Sequence, residues 1–219
     1  MKRVRERIDL AARRVGRAPE AVRLVAVTKG VDVDRIRRIA GEPVLLGESR
    51  VQEAVAKQEA LARFDDLKGK IVWHMIGHLQ RNKVKEVVGR FEMIHSVDSI
   101  SLAREIDRQA GHEEIHQQVL LEVNLAGETS KHGFSPKEVG EALGEIRGFE
   151  NLQVEGLMTI PPLPKKPEDS RPYFRRLREM AERLGVSELS MGMSGDFEVA
   201  VEEGATLVRV GTAIFGERG

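Results

Sequence analysis
The sequence predicts a closed (β/α)8 barrel, and three observations carry that prediction. Eight short apolar runs recur along the chain, and stretches of helical periodicity separate them. The clearest run, Leu24-Val25-Ala26-Val27, is apolar at every position, which marks a strand covered on both faces. Regular strand and helix alternation gives a parallel sheet, and eight such units match a barrel that closes on itself. An open doubly wound sheet is the alternative, but eight parallel strands are unusually many for one. No repeat, low-complexity tract or composition break divides the 219 residues, so residues 1–219 read as one domain.

The elements follow in order. Val4, Ile8, Ala11, Ala12 and Val15 recur at helical spacing and predict an extra amphipathic helix ahead of the barrel. Strands are expected at 24–27, 44–46, 71–74, 93–95, 119–123, 152–156, 188–190 and 206–209. After the first strand, Gly30 and the capping residue Asp32 introduce a helix marked by Ile36, Ile39 and Ala40. Val51, Ala54, Val55 and Leu61 mark the next helix, and Val84, Val87 and Val88 another. Further helices are expected over 102–109, 139–146, 174–184 and 197–203. Ser49-Arg50-Val51-Gln52 and Ser135-Pro136-Lys137-Glu138 both read as capping boxes, the second with proline at the first helical position. Pro161-Pro162-Leu163-Pro164-Lys165-Lys166-Pro167 is a strand-to-helix loop expected to extend over one rim.

Composition narrows the function classes. Lys+Arg 35 against Asp+Glu 35 gives a formal net charge of +0, so no global field draws nucleic acid or an acidic membrane. The basic start, Met1 to Ile8, belongs to the amphipathic helix rather than to a nucleic-acid arm. No apolar run approaches membrane-spanning length. With Cys 0, disulfides and cysteine-ligated metals are excluded, and a cytoplasmic location is expected.

Barrel chemistry sits at the carboxyl ends of the strands. There the chain places Lys29 after the first strand, then Glu48-Ser49, His74, Met158-Thr159, Ser194-Gly195, and Arg209 ahead of Gly211-Thr212. A lysine at a strand end sits in a half-dry pocket, where burial disfavours the ammonium form and frees the amine to attack a carbonyl. The alternative is a lysine that reaches out into water. Ser194-Gly195 is expected to open the seventh helix, and Gly211-Thr212 follows the eighth strand. Small residues there let backbone N–H groups approach a phosphate. Singly they read as an ordinary cap and an ordinary turn; facing a lysine, they favour a phosphorylated carbonyl ligand. Arg209, between Val208 and Val210, is expected to point into the barrel mouth. It would face either a ring nitrogen or a rim carboxylate such as Glu48 or Glu122.

Long motifs in this order resemble one family. They are Val25-Ala26-Val27-Thr28-Lys29, Leu46-Gly47-Glu48-Ser49-Arg50-Val51-Gln52-Glu53, the run Trp73 to Lys83, Gly156-Leu157-Met158-Thr159-Ile160, the run Leu189 to Asp196, and the run Val208 to Gly216. Together they are similar to the pyridoxal phosphate homeostasis proteins, single-domain barrels like the N-terminal domain of alanine racemase. The resemblance implies a non-catalytic cytoplasmic protein of vitamin B6 homeostasis that holds pyridoxal 5′-phosphate as a Schiff base on Lys29. It implies phosphate contacts from Ser194, Gly211 and Thr212 with Gly195 as a backbone donor, and Arg209 at the pyridine nitrogen. His74 and Met158 complete the expected cofactor-binding set. A monomer with transient cofactor-recipient enzymes as partners is expected. The chain departs from the family's usual asparagine at Ser49 and from its usual Ser-Lys-Ser-Gly at Ser130-Lys131-His132-Gly133.

Other motifs point elsewhere and fail on context. His112-Glu113-Glu114-Ile115-His116 has zinc-protease spacing, but Gly111 and the nearby fifth strand leave no helix to carry both histidines. His74 and His78 are also four apart, yet Gly77 and the preceding strand argue against a helix. Gly192-Met193-Ser194-Gly195-Asp196 misses the nucleophile elbow, because its fifth residue is Asp196. An amino-acid racemase on the same barrel is the enzymatic alternative to a carrier, and a cofactor-free Schiff-base aldolase is a third. The single tyrosine, Tyr173, lies beside the proline-rich loop, and no second domain that could supply an opposing base is expected.

Overall fold
The computed structural model describes residues 1–128 and 131–216. Eight parallel strands close into a barrel in sequence order. They are β1 (Arg23–Val27), β2 (Val44–Glu48), β3 (Ile71–Met75), β4 (Met93–Val97), β5 (Gln117–Glu122), β6 (Leu152–Met158), β7 (Glu188–Ser190) and β8 (Leu207–Val210). Closure is visible at Val25, which lies opposite Leu45 on β2 and Arg209 on β8. Alternate strand residues face the barrel interior, where Val25, Ile76, Met93, Leu120, Met158 and Leu207 form a compact apolar layer. The larger core lies between the strands and their helices.

Around the barrel run α1 (Lys2–Arg14), α2 (Val33–Ile39), α3 (Val51–Leu61), α4 (Ile100–His112), α5 (Val139–Ile146), α6 (Arg171–Leu184), α7 (Phe197–Glu202) and α8 (Thr212–Phe215). Asp32 caps α2 as expected, accepting from the Arg35 N–H at 2.8 Å. The crossover from β3 to β4 departs from the helix predicted there, being a 3-10 segment over Arg81–Glu86. Val84, Val87 and Val88 are buried as the pattern required. However, clustered β-branched residues and the left-handed Gly89 (φ 76°) cut the segment short.

Neither predicted capping box forms whole. At the second box, the Glu138 carboxylate accepts from the Ser135 N–H at 3.1 Å, but α5 starts only at Val139 and Glu138 is its cap. At the first, Arg50 is the cap of α3 without a side-chain bond, and Ser49 faces the barrel mouth. Ser49 is held there by Gly77, where an added Cβ would lie 2.4 Å from the Ser49 carbonyl oxygen. Only glycine allows the ends of β2 and β3 to come that close.

The helix α1 buries Val4, Ile8, Ala11 and Ala12 in the outer core, with α7 as its main neighbour. Its polar edge grips α7. Arg7 pairs with Glu198 at 2.9 Å and lies over the Phe197 ring, while Arg17, just beyond the helix, donates to the carbonyls of Val201 and Ala205. No helix among the described residues is long and apolar enough to cross a membrane.

Candidate functional site
A cleft of about 630 Å³ opens at the carboxyl ends of the strands, lined by Lys29, Ser194, Gly195, Arg209, Gly211 and Thr212 among others. Six of the eight predicted ligand residues therefore meet in one place. The other two do not line it. Met158 is fully buried in the apolar layer beneath. His74 is likewise buried, with Nδ1 2.8 Å from His95 Nε2 and Nε2 3.3 Å from Glu92 Oε1. Both lie buried in the barrel interior rather than on the cleft wall.

Lys29 is half-buried, just beyond the end of β1. Its position is fixed by a polar clamp that the sequence reading missed. Lys57, buried on α3, donates from Nζ to the Thr28 carbonyl, to Glu48 Oε1 (2.5 Å) and to Glu53 Oε1 (2.7 Å). Thr28 Oγ1 donates to the same Glu48 oxygen at 2.7 Å, and the Gly30 N–H donates to Glu53. The backbone on both sides of Lys29 is thus pinned to one buried cation and its two carboxylates. Burial tends to raise the Glu53 carboxyl, but the bonds from Lys57 and Gly30 outweigh it and hold the group low. The available signal was the Glu53 and Lys57 pair at i,i+4 in an otherwise apolar helix face.

Across the cleft, the loops after β7 and β8 are tied together. Ser194 Oγ accepts from the N–H groups of Gly211 (3.3 Å) and Ala213 (3.4 Å). Ser194 does not open α7, as the sequence suggested; Asp196 occupies that cap position. Asp196 accepts instead from the Met193 N–H (2.7 Å) and Ser170 Oγ (2.7 Å), which rigidifies the loop carrying Ser194 and Gly195. Gly192 makes the turn possible, with φ 88° and no room for a Cβ, which would lie 2.5 Å from Ala200 Cβ. The proline-rich loop covers one side of the cleft through Leu163, Pro164, Lys165, Lys166 and Pro167, as its composition implied. Leu163 at its tip is 92% exposed.

Arg209 points into the cleft from the barrel axis and is only 4% exposed. Its Nη1 donates to Ser190 Oγ and its Nη2 to the Thr159 carbonyl at 2.9 Å. The carboxylate alternatives weighed for it do not form: Glu48 is paired with Lys57, and Arg209 makes no salt bridge among the described residues. Burial pushes Arg209 down to about 10, with Glu122 and Asp196 acting in the opposite direction. Glu122 lines a smaller neighbouring cavity, where burial, reinforced by Asp98, raises its carboxyl to about 7.

His78 and His132 bracket Asp98 near that cavity, with Nδ1 atoms 3.0 and 3.5 Å from Asp98 Oδ2. Their rings are stacked at 3.6 Å and 10°. Parallel planes so spaced cannot both contain one metal ion bound about 2 Å from each nitrogen. The trio is a carboxylate-bridged histidine pair, not a preformed metal centre. The zinc-protease spacing likewise falls apart, since α4 ends at His112 and Glu114 turns the chain at φ 55°. Of the Ser130-Lys131-His132-Gly133 segment, Ser130 lies outside the described residues.

Comparison with known proteins agrees with the barrel fold. The profile of the alanine racemase N-terminal domain family matches residues 1–219. A pyridoxal phosphate homeostasis protein of Aquifex aeolicus is 46% identical over 225 residues, covering 100% of this chain and 96% of the relative. Its namesake in Escherichia coli K12 is 36% identical over 230 residues, covering 98% and 94%. Among solved structures, PipY of Synechococcus elongatus, determined with PLP bound, superposes with a TM-score of 0.83 at 38% identity, covering 97% of this chain and 100% of PipY. Alanine racemase of Corynebacterium glutamicum, 16% identical with a TM-score of 0.68, shares the fold; the match spans 98% of this chain and 60% of the racemase.

Proposed function
The chain belongs to the alanine racemase N-terminal domain family, and from that premise we propose that it is a non-catalytic pyridoxal 5′-phosphate-binding protein of intracellular vitamin B6 homeostasis. One observation carries the reading: a lysine amine and a buried arginine on adjoining strands share a cleft with a tied pair of Ser/Gly/Thr loops. The residues fit the cofactor group by group. Lys29 lines the cleft and has no hydrogen-bond or ionic partner among the described residues, which leaves its amine available to an aldehyde. An added Cβ at Gly195 would meet nothing within 4 Å, so its backbone is open to a ligand. Among the described residues Arg209 has only neutral oxygens as partners, and a guanidinium without a carboxylate suits a ring nitrogen.

Bound in this cleft, the cofactor supplies an aldehyde for Lys29 and, in enzymes that use it, an electron sink. The Lys57 clamp orients the strand end that presents the amine. Ser194, Gly211 and Thr212 hold the phosphate, and Gly195 offers its N–H. Arg209 donates to the ring nitrogen and so disfavours protonation there, which weakens the sink. The proline-rich loop excludes water from one side. Homologues of 36–46% identity named pyridoxal phosphate homeostasis proteins support the homeostatic role, and the reading extends to a cytoplasmic monomer serving recipient enzymes.

Borohydride reduction of the loaded protein tests the assignment. The reduced Schiff base is expected on the peptide containing Lys29, and Lys29→Ala is expected to lose the visible absorption. Label on Lys131 or Lys83 instead overturns it.

The racemase alternative needs a second acid/base opposite the lysine. Tyr173, the single tyrosine, sits half-buried on α6 and is not among the cleft residues. Incubation with L-alanine in deuterated water is expected to give deuterium incorporation and D-alanine no faster than free cofactor does. Rapid exchange that vanishes in Lys29→Ala would replace the carrier reading with an enzymatic one.

A further inference from the structure
Beneath the cleft, a file of polar side chains crosses the barrel interior. Arg209 Nη1 donates to Ser190 Oγ, and Ser190 Oγ is 2.8 Å from His95 Nδ1. His95 Nε2 is 2.8 Å from His74 Nδ1, and His74 Nε2 is 3.3 Å from Glu92 Oε1. The file draws on β8, β7, β4 and β3 and ends just before β4. Ser190, His95 and His74 are fully buried, whereas the Glu92 side chain is 46% exposed. It therefore joins the floor of the cleft to solvent at the opposite, amino-terminal rim.

The two ends dictate its polarity. A guanidinium can only donate and an ionised carboxylate can only accept. With Arg209 donating to it, Ser190 passes its own proton on to His95 Nδ1, which must be bare. His95 then carries its proton on Nε2 and donates to His74 Nδ1. By the same logic His74 is protonated on Nε2 and donates to Glu92. The reverse order would point a bare His74 nitrogen at a carboxylate and leave the Ser190 proton without its partner in the file. Both imidazoles are neutral in the forward order, in line with burial, which pushes His74 down to about 4 and His95 well below its ordinary value.

We propose that Ser190, His95 and His74 are positioning residues for Arg209, forming a one-way hydrogen-bond relay through which the Glu92 carboxylate on the far rim orients the guanidinium presented to the cofactor. The carboxylate polarises each bond in turn and makes Ser190 Oγ a stronger acceptor. That bond, beside the Nη2 bond to the Thr159 carbonyl, holds the guanidinium down and leaves its remaining N–H groups for the cleft. A broken file frees Arg209 to turn toward Glu122. The proposal rests on the cofactor reading for what Arg209 serves, but the relay exists in the cofactor-free chain and is measurable there.

The test is a two-bond 1H–15N spectrum of the histidine rings, with the Arg209 side-chain resonance, in cofactor-free protein at pH 7. His74 and His95 are expected as neutral Nε2–H tautomers. Glu92→Gln is expected to shift both histidines and Arg209, whereas Glu42→Gln, an exposed charge ahead of β2 and outside the file, leaves them in place. Ser190→Ala is expected to move Arg209 and to weaken pyridoxal 5′-phosphate binding by about three- to tenfold with a shifted visible absorption; Ser190→Thr keeps the hydroxyl and restores both. A Nδ1–H or charged histidine overturns the relay, as does an Arg209 resonance unmoved by Glu92→Gln and Ser190→Ala. The expected tautomers and Arg209 shifts in a chain that binds no cofactor would uphold the relay and refute the carrier function.

Discussion
Replacing Lys57 with methionine removes a buried cation while keeping most of its volume. Lys57 is 6% exposed, and the Glu48 carboxylate it neutralises is completely buried. Glu48 would keep the hydrogen bonds from Thr28 Oγ1 at 2.7 Å and from the Ser49 N–H at 3.3 Å, and lose its only salt-bridge partner among the described residues. Deleting one member of a buried pair costs about 3–5 kcal/mol, because the survivor is left charged in a dry site. For a chain of this size that corresponds to a fall in Tm of about 10 °C. Urea unfolding followed by circular dichroism is expected to show a lower midpoint with an unchanged slope. Lys57→Met combined with Glu48→Gln is expected to recover more than half of the loss, since the stranded charge is gone. Cofactor affinity should fall in the single variant, because Thr28 and Gly30 flank Lys29 and lose their anchor. A loss under about 1 kcal/mol, or a double variant no more stable than the single one, would show that the clamp is not an electrostatic unit.

Two further outcomes are expected. Ser194→Ala with Thr212→Ala should weaken pyridoxal 5′-phosphate binding more than tenfold, at about 1.5–3 kcal/mol per charge-assisted bond, and unphosphorylated pyridoxal much less; equal losses in titrations with both ligands would remove these residues from the phosphate site. Glu122→Gln tests the raised carboxyl: a folded-state value of about 7 against 4.5 makes the native residue a stabiliser only while protonated, so its contribution is lost as pH rises from about 4.5 through 7. The variant should therefore gain on the native protein over that window, by roughly 3 kcal/mol at most above pH 7, and a stability difference flat from pH 5 to 8 would refute the shift.

Much of this was legible in the sequence because barrels convert chain order into space. Once eight strands are recognised, the residue after each strand is bound to lie on one rim, and Lys29, Ser194, Arg209 and Thr212 fall together without any knowledge of side-chain packing. Depth was harder to read. His74 and Met158 have the right parity to point inward, but the stagger of neighbouring strands decides which layer a residue joins, and that register is not written in any one strand. Lys57 was missed for a different reason. A charged residue on a helix reads as solvated until the strand end beneath it is known to carry Glu48. Ser49 misled through local propensity, since its serine suits a cap, yet the close approach of Gly77 fixes it at the barrel mouth.

The pairing of β1 with β8 has a consequence in time as well as in space. Lys29 emerges in synthesis well before Arg209, Gly211 and Thr212, and α1 finds its mate only when α7 exists. A half-made chain thus has Lys29 without the Ser194 and Gly211–Thr212 loops or Arg209. Such long-range closure slows folding, since the ends must meet before their contacts reward the search. On the proposed function, a nascent chain would have no complete site in which to capture the aldehyde. Loading would then wait for the eighth strand, and a truncated or stalled product would not draw on the cell's free supply.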